Sequence, residues 1–315
     1  MTSYTTRRKR RIERIVSSHL TLLLILTVLT VSLLFSDEIS HSVKSGLSLS
    51  VNVIIPSVFP FIIISDFLYS AFDFSELKFL NRSFEKLFGV NRSGVYAFFL
   101  GILCGFPLGV KCVRDLYMSG ELSKDEAERL IGFCNNTGPA FLVCGVGAGL
   151  RGSTAEGILL YIIMVISAIA VGMLFGIGKK STAITPSPSR KDFSLTLSIK
   201  NAGINTLTIC SYLTFFACAC GLLRKLLGET VTYISILPFI EIGSSSSILS
   251  KTRLLTDFQS FAVTAFAVGF SGLSVHLQAL SFISDTDIRA GKYFIMKLLQ
   301  GVISFILAIM LYPQL

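Results

Sequence analysis

The chain has 315 residues, of which 52% are hydrophobic and only 15% are charged, and its mean hydropathy is +0.70. Soluble globular domains carry about 25% charged residues, so the composition excludes an ordinary soluble domain and indicates a polytopic helical membrane protein. The net charge of +9 resides at the N-terminus and in the loops between apolar segments. This is the positive-inside pattern of membrane proteins, and it argues against a nucleic-acid partner.

The first apolar segment follows a basic stretch. Residues 1–16 contain six basic side chains, and the apolar run 20–35 comes directly after them. Because no small-x-small cleavage site follows, we predict a cytoplasmic N-terminus (1–16) and an uncleaved transmembrane helix (17–36) rather than a signal peptide. Asp37 and Glu38 are then expected to lie outside the membrane.

Apolar runs and basic loops alternate through the first half. A span at about 46–70 contains Pro56 and Pro60, which remove backbone donors and predict a kink. The loop after it is basic, as is the Ser- and Pro-containing linker 177–199, so both are assigned to the cytoplasm. Three complete crossings between these loops would place them on opposite sides. The conflict disappears if segment 94–118 is a re-entrant hairpin that turns near Phe106.

The second half repeats this order, with predicted spans at about 200–223, 258–282 and 290–312. The shorter broken segment between the first two, 232–250, is predicted to be a second re-entrant hairpin with its tip near Ser244. Each half then consists of a span, a hairpin and two further spans in opposite orientation, as in inverted-repeat secondary transporters. We therefore predict an all-α polytopic membrane protein with two gate-like repeats, 45–176 and 200–315, plus an extra N-terminal helix.

Two breaks interrupt the apolar stretch 101–150. Glycine and proline adjoin polar groups at 105–109 and again at 135–139. A helix that stops inside hydrocarbon leaves backbone groups without partners, so such breaks survive only where they are buried in protein or line a polar cavity. The charged run 121–126 between them is interpreted as a solvated interfacial helix.

We place a solute site where the breaks and hairpin tips of both halves converge. Asn136 or Thr137 is expected to cap a helix that begins at Pro139, and Ser271 one that begins at Gly272. Helix N-termini carry about half a positive charge and free N–H groups, so they favour an anion or an acceptor-rich ligand. The alternative is that these positions are packing kinks at helix contacts. The predicted substrate-binding residues are Gly105, Phe106, Pro107, Asn135, Asn136, Thr137, Gly138, Glu241, Ser244, Ser245, Ser271, Gly272 and Gln278.

Three ionisable residues at membrane depth leave alternatives open. Glu241 is interpreted either as a proton or substrate ligand or as a surface ion-pair partner of Lys251 or Arg253. His276 is either a hydrogen-bonded packing residue or a proton relay. Lys111 either neutralises a substrate carboxylate or snorkels to the cytoplasmic surface.

Three stretches together resemble a known family: GLSLSVNVIIPSVFPFIIISDFL, the whole of 101–150, and GFSGLSVHLQALSF. They are similar to the sporulation integral membrane proteins of the YlbJ type, within the wider group that has the nucleoside-recognition (gate) domain. The resemblance covers roughly 45–312 and is most specific in G-F-P-L-G and N-x-x-G-P-x-F. It implies gate-type hairpins similar to those of concentrative nucleoside transporters, a membrane of the sporulating cell, and a role in moving dipicolinate into the spore.

A transporter for a small polar or anionic solute is thus the first functional expectation. The alternatives are a non-transporting scaffold or gating subunit of a sporulation complex, and nucleoside transport. The chain has no HExxH, GxSxG or paired-acid signature, so no enzyme is expected. Its seven cysteines form no CxxC pair or Cys/His cluster, so no metal or other cofactor is expected. The expected partners are the solute, the lipid bilayer, and a second copy or another membrane protein.

Overall fold

The computed structural model describes residues 22–23, 25–71, 78–181 and 193–314, and all their regular structure is helical. The predicted basic N-terminus and residues 182–192 of the predicted linker lie outside the described residues. Within that part of the chain, five helical stretches are long and apolar enough to cross a membrane, in agreement with an all-α polytopic protein. These are Ser36–Ile64, Thr154–Gly176, Leu195–Leu227, Asp257–Ile283 and Gly291–Leu311.

The helices are named here in chain order. They are α1 (Ile25–Leu34), α2 (Ser36–Leu49), the π-helical turn π1 (Ser50–Ile54), α3 (Ile55–Ala71), α4 (Lys78–Phe88), α5 (Ser93–Leu103), α6 (Leu108–Met118), α7 (Lys124–Cys134), the π-helix π2 (Ala140–Arg151), α8 (Thr154–Gly176), α9 (Leu195–Leu227), α10 (Val231–Ile240), α11 (Ile242–Leu249), α12 (Asp257–Phe270), α13 (Gly272–Ile283), α14 (Gly291–Leu311) and a terminal 3₁₀ turn (Tyr312–Gln314).

The first described helices follow one another almost without interruption. Only Phe35 separates α1 from α2, so Asp37 and Glu38 lie in the first turn of α2; their position outside the membrane stays a prediction. Acidic residues are favoured there by the positive end of the helix dipole. The kink expected from Pro56 takes the form of π1, which ends just before the proline. A π-helical turn accommodates the missing backbone donor by shifting the hydrogen-bond register.

Segment 94–118 is a helix–turn–helix, as predicted, formed by α5 and α6 (hairpin 1). Its base is closed by Asn91, whose side-chain amide donates to the carbonyl oxygen of Glu121 at 2.6 Å. Close to the turn, Gly101 and Gly109 face each other, and both rest directly on the carbonyl oxygen of Cys134 at the end of α7. Side chains at these two positions would prevent the limbs from approaching α7.

A second hairpin (hairpin 2) is formed by α10 and α11. Leu249 at the end of α11 lies in the same apolar cluster as Tyr233 near the start of α10, so the two ends of the hairpin lie together. The turn is at Glu241, three positions before the predicted Ser244. The physical reason is capping: the carboxylate of Glu241 accepts hydrogen bonds from the backbone N–H groups of Gly243 (2.8 Å) and Ser244.

Each half also contains one broken helix. In the first half α7 ends before residues 135–139 (break 1) and π2 continues the path. In the second half α12 and α13 are interrupted at Ser271 (break 2). The order of long helix, hairpin, broken helix and final helix is therefore the same in both halves. The final helix α14 packs against α7, α8 and α12, which joins the halves.

Several loops predicted to share the cytoplasmic side lie at one end of the bundle. Arg129 donates to the carbonyl oxygen of Gly89 at 2.6 Å, Lys179 packs on Gly89, and the backbone N–H of Arg289 donates to Glu128 at 3.2 Å. The turn after α4, the start of the linker and the loop before α14 thus meet there. Which side of the membrane this end faces stays a prediction.

The charged run 121–126 is only partly solvated, contrary to our expectation: Asp125 is exposed, but two of its carboxylates are buried. Glu121 is 6% exposed and Glu126 is 1% exposed. Glu126 forms a capping box with Ser123 at the start of α7 and also accepts from the backbone N–H of Asn91 at 3.0 Å. Glu126 is buried because it satisfies backbone donors where α7 meets the base of hairpin 1, and Glu121 because it accepts from the hydroxyls of Ser93 and Ser119, each at 3.0 Å.

Candidate functional site

A cavity of about 40 Å³ lies where the two hairpin tips and the first break meet, between α3, α9 and α13. It is lined by six of the thirteen predicted site residues: Gly105, Phe106, Thr137, Gly138, Glu241 and Gln278. The structure thus brings together groups from both halves that are more than 100 positions apart in sequence. Space of this size holds about three water molecules.

In each half the hairpin tip packs directly against the break. In the first, the backbone N–H of Phe106 donates to the carbonyl oxygen of Asn136 at 2.7 Å. In the second, Gly272 has φ +70° and lies against the backbone of Glu241, so that a Cβ there would be 3.2 Å from the Glu241 nitrogen. The same tip-to-break contact in both halves supports the predicted correspondence between them.

Two buried polar side chains in the cavity wall have no hydrogen-bond partner among the described residues. They are Gln278, through Nε2, and Thr137, through Oγ1. Gln278 is 2% exposed and Thr137 is 1% exposed. Buried polar groups are nearly always paired, with protein, water or ligand. These two are therefore the side chains best placed to bind a polar ligand in the cavity.

The helix caps differ from those that we expected. Pro139 precedes π2 without a side-chain cap, and neither Asn136 nor Thr137 takes that role. Ser271 adopts φ +79°, and its hydroxyl donates back to the Val268 carbonyl at 3.3 Å instead of capping α13. The N-terminus of α11 is occupied by Glu241. The start of π2 therefore remains open to an anion, and the starts of α6 and α13 beside the cavity also have no side-chain cap.

Asn135 and Asn136 point away from the cavity, although we placed both in the solute site. Asn135 donates through its side chain to the Tyr293 hydroxyl at 2.9 Å, and Gln300 donates to Asn136 Oδ1 at 2.9 Å. Both partners are on α14. Tyr293 is also 2.9 Å from His276 Nδ1, which favours the interpretation of His276 as a hydrogen-bonded packing residue. The asparagines tie break 1 to α14.

Lys297 belongs to the same network, and the sequence interpretation missed it. Its side chain on α14 is fully buried, and its Nζ donates to the backbone oxygen of Asn135 at 2.9 Å and to Gln300 Oε1 at 2.7 Å. The signal was present in the sequence as the deeper of the two lysines in the predicted span 290–312. Charged residues inside membrane segments are rare and are usually functional.

A larger cavity of about 410 Å³ lies between the base of hairpin 1, the end of α3 and the start of α9. Polar and charged side chains line it, including Lys111, Asp115, Ser198 and Asn201. Leu108, just after the tip of hairpin 1, borders this cavity, whereas Phe106 borders the smaller one. The tip of hairpin 1 therefore lies between this larger cavity (the vestibule) and the smaller one (the inner cavity).

Comparison with known proteins gave one informative relative. No family model and no solved structure matches the chain. It is 28% identical over 320 residues to the sporulation integral membrane protein YlbJ of Bacillus subtilis (strain 168), in an alignment that covers 86% of this chain and 77% of the relative. The resemblance to YlbJ-type proteins is thereby confirmed, and with five membrane-length helices the chain is a multi-pass membrane protein. The nucleoside-recognition group stays a prediction.

Proposed function

We propose that this chain, which is similar to the sporulation integral membrane protein YlbJ, carries a small polar or anionic solute across a membrane of the sporulating cell. The observation that supports this most is the convergence of both hairpin tips and break 1 on one cavity. Broken helices with binding groups near the middle of the bilayer are the usual plan of secondary transporters. A protein that needed only a rigid scaffold would have no use for interrupted helices there.

The solute class follows from the groups in the cavity wall. Gln278 offers an unpaired amide N–H, Thr137 an unpaired hydroxyl, and the start of π2 an uncapped helix N-terminus. All three favour a ligand rich in oxygen acceptors. Dipicolinate, a dicarboxylate, is the specific candidate, with its carboxylates on the side of break 1 and away from the Glu241 carboxylate.

The size of the inner cavity implies movement. At about 40 Å³ it is too small for a dicarboxylate, so a solute enters only if the hairpin 1 tip moves away from break 1. The vestibule on the other side of this tip provides the approach. A non-transporting scaffold is the second candidate, and the small volume of the inner cavity is the observation that favours it.

Uptake into liposomes separates the two candidates. Purified protein is reconstituted, and labelled dipicolinate and a labelled nucleoside are supplied outside, with protein-free liposomes as the baseline. Dipicolinate uptake above baseline is expected. If neither compound is taken up, transport is contradicted and the non-transporting scaffold becomes the better candidate.

Gln278→Ala tests the site itself. Loss of a hydrogen bond to a charged ligand costs about 1.5–3 kcal/mol, so the apparent affinity should fall roughly ten- to a hundredfold. Ser181→Ala, in the described start of the linker, is the matched control and should transport like the wild type. Normal uptake by Gln278→Ala at wild-type abundance would place the solute elsewhere. Asn136→Ala is less informative, since it also removes the hydrogen bond from Gln300.

A further inference from the structure

The most unusual group in the bundle is the amine of Lys297. It lies six residues into α14, about 9 Å along the helix axis, and its side chain is fully buried. Among the described residues no carboxylate pairs with it, and its two acceptors, the Asn135 carbonyl and the Gln300 amide oxygen, are both neutral. A permanent unpaired charge in such a place is costly.

The position of the amine links it to the solute site. Asn135 is the C-cap of α7, so the carbonyl that Lys297 binds belongs to the negative end of that helix. Gln300, the other acceptor, donates to Asn136 Oδ1, and the Asn136 carbonyl accepts from Phe106 at the tip of hairpin 1. A continuous set of hydrogen bonds thus runs from the amine to the tip that closes the inner cavity.

We propose that Lys297 is the proton-binding group that couples solute transport to a proton gradient, an inference that rests on the proposed transport function. The protonated ammonium holds Asn135 and Gln300 and keeps break 1 and the hairpin 1 tip together. When the ammonium releases its proton to water, the neutral amine binds the two acceptors less strongly, and the tip is freed to move. Reprotonation from water on the other side of the membrane completes the cycle without any further reactant.

Other titratable groups face Lys297 from the helices packed around it. Cys134 faces it from α7, His276 from α13 and Tyr293 from α14 itself. The titratable side chains of α8 and α12 are engaged elsewhere: Glu156 with Arg151, Tyr161 with the Ile102 carbonyl, and Asp257 at the first turn of α12, beside Arg151.

Lys297→Arg separates proton coupling from structural support. Arginine keeps the positive charge and the hydrogen-bond donors but does not release its proton. Because this permanent cation keeps the hairpin 1 tip on break 1, counterflow of labelled dipicolinate into liposomes loaded with unlabelled dipicolinate should fall at least about tenfold in Lys297→Arg. Lys297→Met binds no proton and leaves the tip free, so its counterflow should stay within about twofold of the wild type. Accumulation driven by an imposed pH gradient should be lost. Lys292→Arg is the control, because Lys292 lies on the same helix in exposed ion pairs; it should retain both activities.

Gradient-driven accumulation by Lys297→Arg at the wild-type rate would overturn the proposal, as would wild-type accumulation that does not depend on the pH gradient.

A second measurement is independent of transport. The unfolding temperature in detergent is compared between wild type and Lys297→Met at several pH values, since a group that exchanges a proton in the folded protein makes stability depend on pH. The difference between the two proteins should change with pH. If the difference in unfolding temperature stays constant with pH, Lys297 is not a proton-binding site. If only the counterflow of the wild type is absent, the transport function is refuted but the proton site is not.

Discussion

Glu241 shows how one side chain determines local structure at the site. It is 2% exposed, yet its carboxylate is satisfied by the first backbone N–H groups of α11. We predict that Glu241→Ala lowers the free energy of unfolding by about 1–2 kcal/mol, the range for loss of an N-cap. Glu241→Gln should lose less, since its amide oxygen still accepts one bond. Thermal unfolding in detergent measures both.

The control for this prediction is Glu229→Ala. Glu229 pairs with Arg224 at an exposed site, where ion pairs contribute little, so its loss should hardly change the unfolding temperature. Equal stability of Glu241→Ala and Glu229→Ala would contradict the capping role.

Single residues also mark the limit of prediction from sequence. The breaks were predictable, because glycine and proline beside polar residues in apolar sequence have few structural uses. The direction of each side chain was not. Asn135 and Asn136 lie in break 1 as expected, but the packing of α14 turns both toward Tyr293 and Gln300. Lys297 was missed because a lysine near the end of a span commonly snorkels to the surface, and burial depends on neighbours distant in sequence.

At the scale of elements, hairpin 1 can dock on α7 only because glycine lies at the contact. A Cβ at Gly101 would overlap the backbone carbonyl of Cys134, which cannot move without disturbing the end of α7. We predict that Gly101→Ala lowers the free energy of unfolding by about 1–3 kcal/mol through overpacking, seen as a lower unfolding temperature in detergent.

Gly203→Ala is the matched control for that substitution. Gly203 lies inside α9, and a Cβ there meets nothing within 4 Å. Replacing a helical glycine by alanine at an open position should raise stability by up to about 1 kcal/mol. If the two variants changed stability in the same direction, the close packing of hairpin 1 on α7 would be wrong.

Hairpin 1 and α7 are also tied to the loop before α14 through charges. Arg114 holds Asp285, and the hydrogen bond lowers the pKa of that carboxyl; Lys124 and then Tyr117 do the same for the pKa of Asp287. A lowered folded-state pKa contributes stability above the ordinary value of about 3.9, and this is lost as the pH falls through the folded-state value. We predict that wild-type unfolding temperature falls below about pH 4 more steeply than that of Asp285→Asn/Asp287→Asn. Parallel acid profiles would show that these exposed pairs contribute nothing.

At the scale of the whole molecule, the matching order of helices in the two halves predicts which loops lie on the same side of the membrane. The start of the linker and the loop before α14 both lie at the end of the bundle where Arg129 meets Gly89. The end of hairpin 2 lies at the other end, because α12 and α13 together are 27 residues long and run from one end to the other. The basic charges of the linker favour the cytoplasm for the first end.

Single cysteines at Ser181, Ser284 and Lys251, introduced into a cysteine-free background, test this arrangement with an impermeant thiol reagent. Ser181→Cys and Ser284→Cys should be protected in intact cells and react after the membrane is opened, because both lie at the predicted cytoplasmic end. Lys251→Cys should react in intact cells, since Lys251 follows α11 at the opposite end and is exposed. If positions 181 and 284 differ in their labelling in intact cells, the inverted repeat is contradicted. If all three positions show the opposite of the expected labelling, the repeat is retained but the chain has the opposite orientation in the membrane.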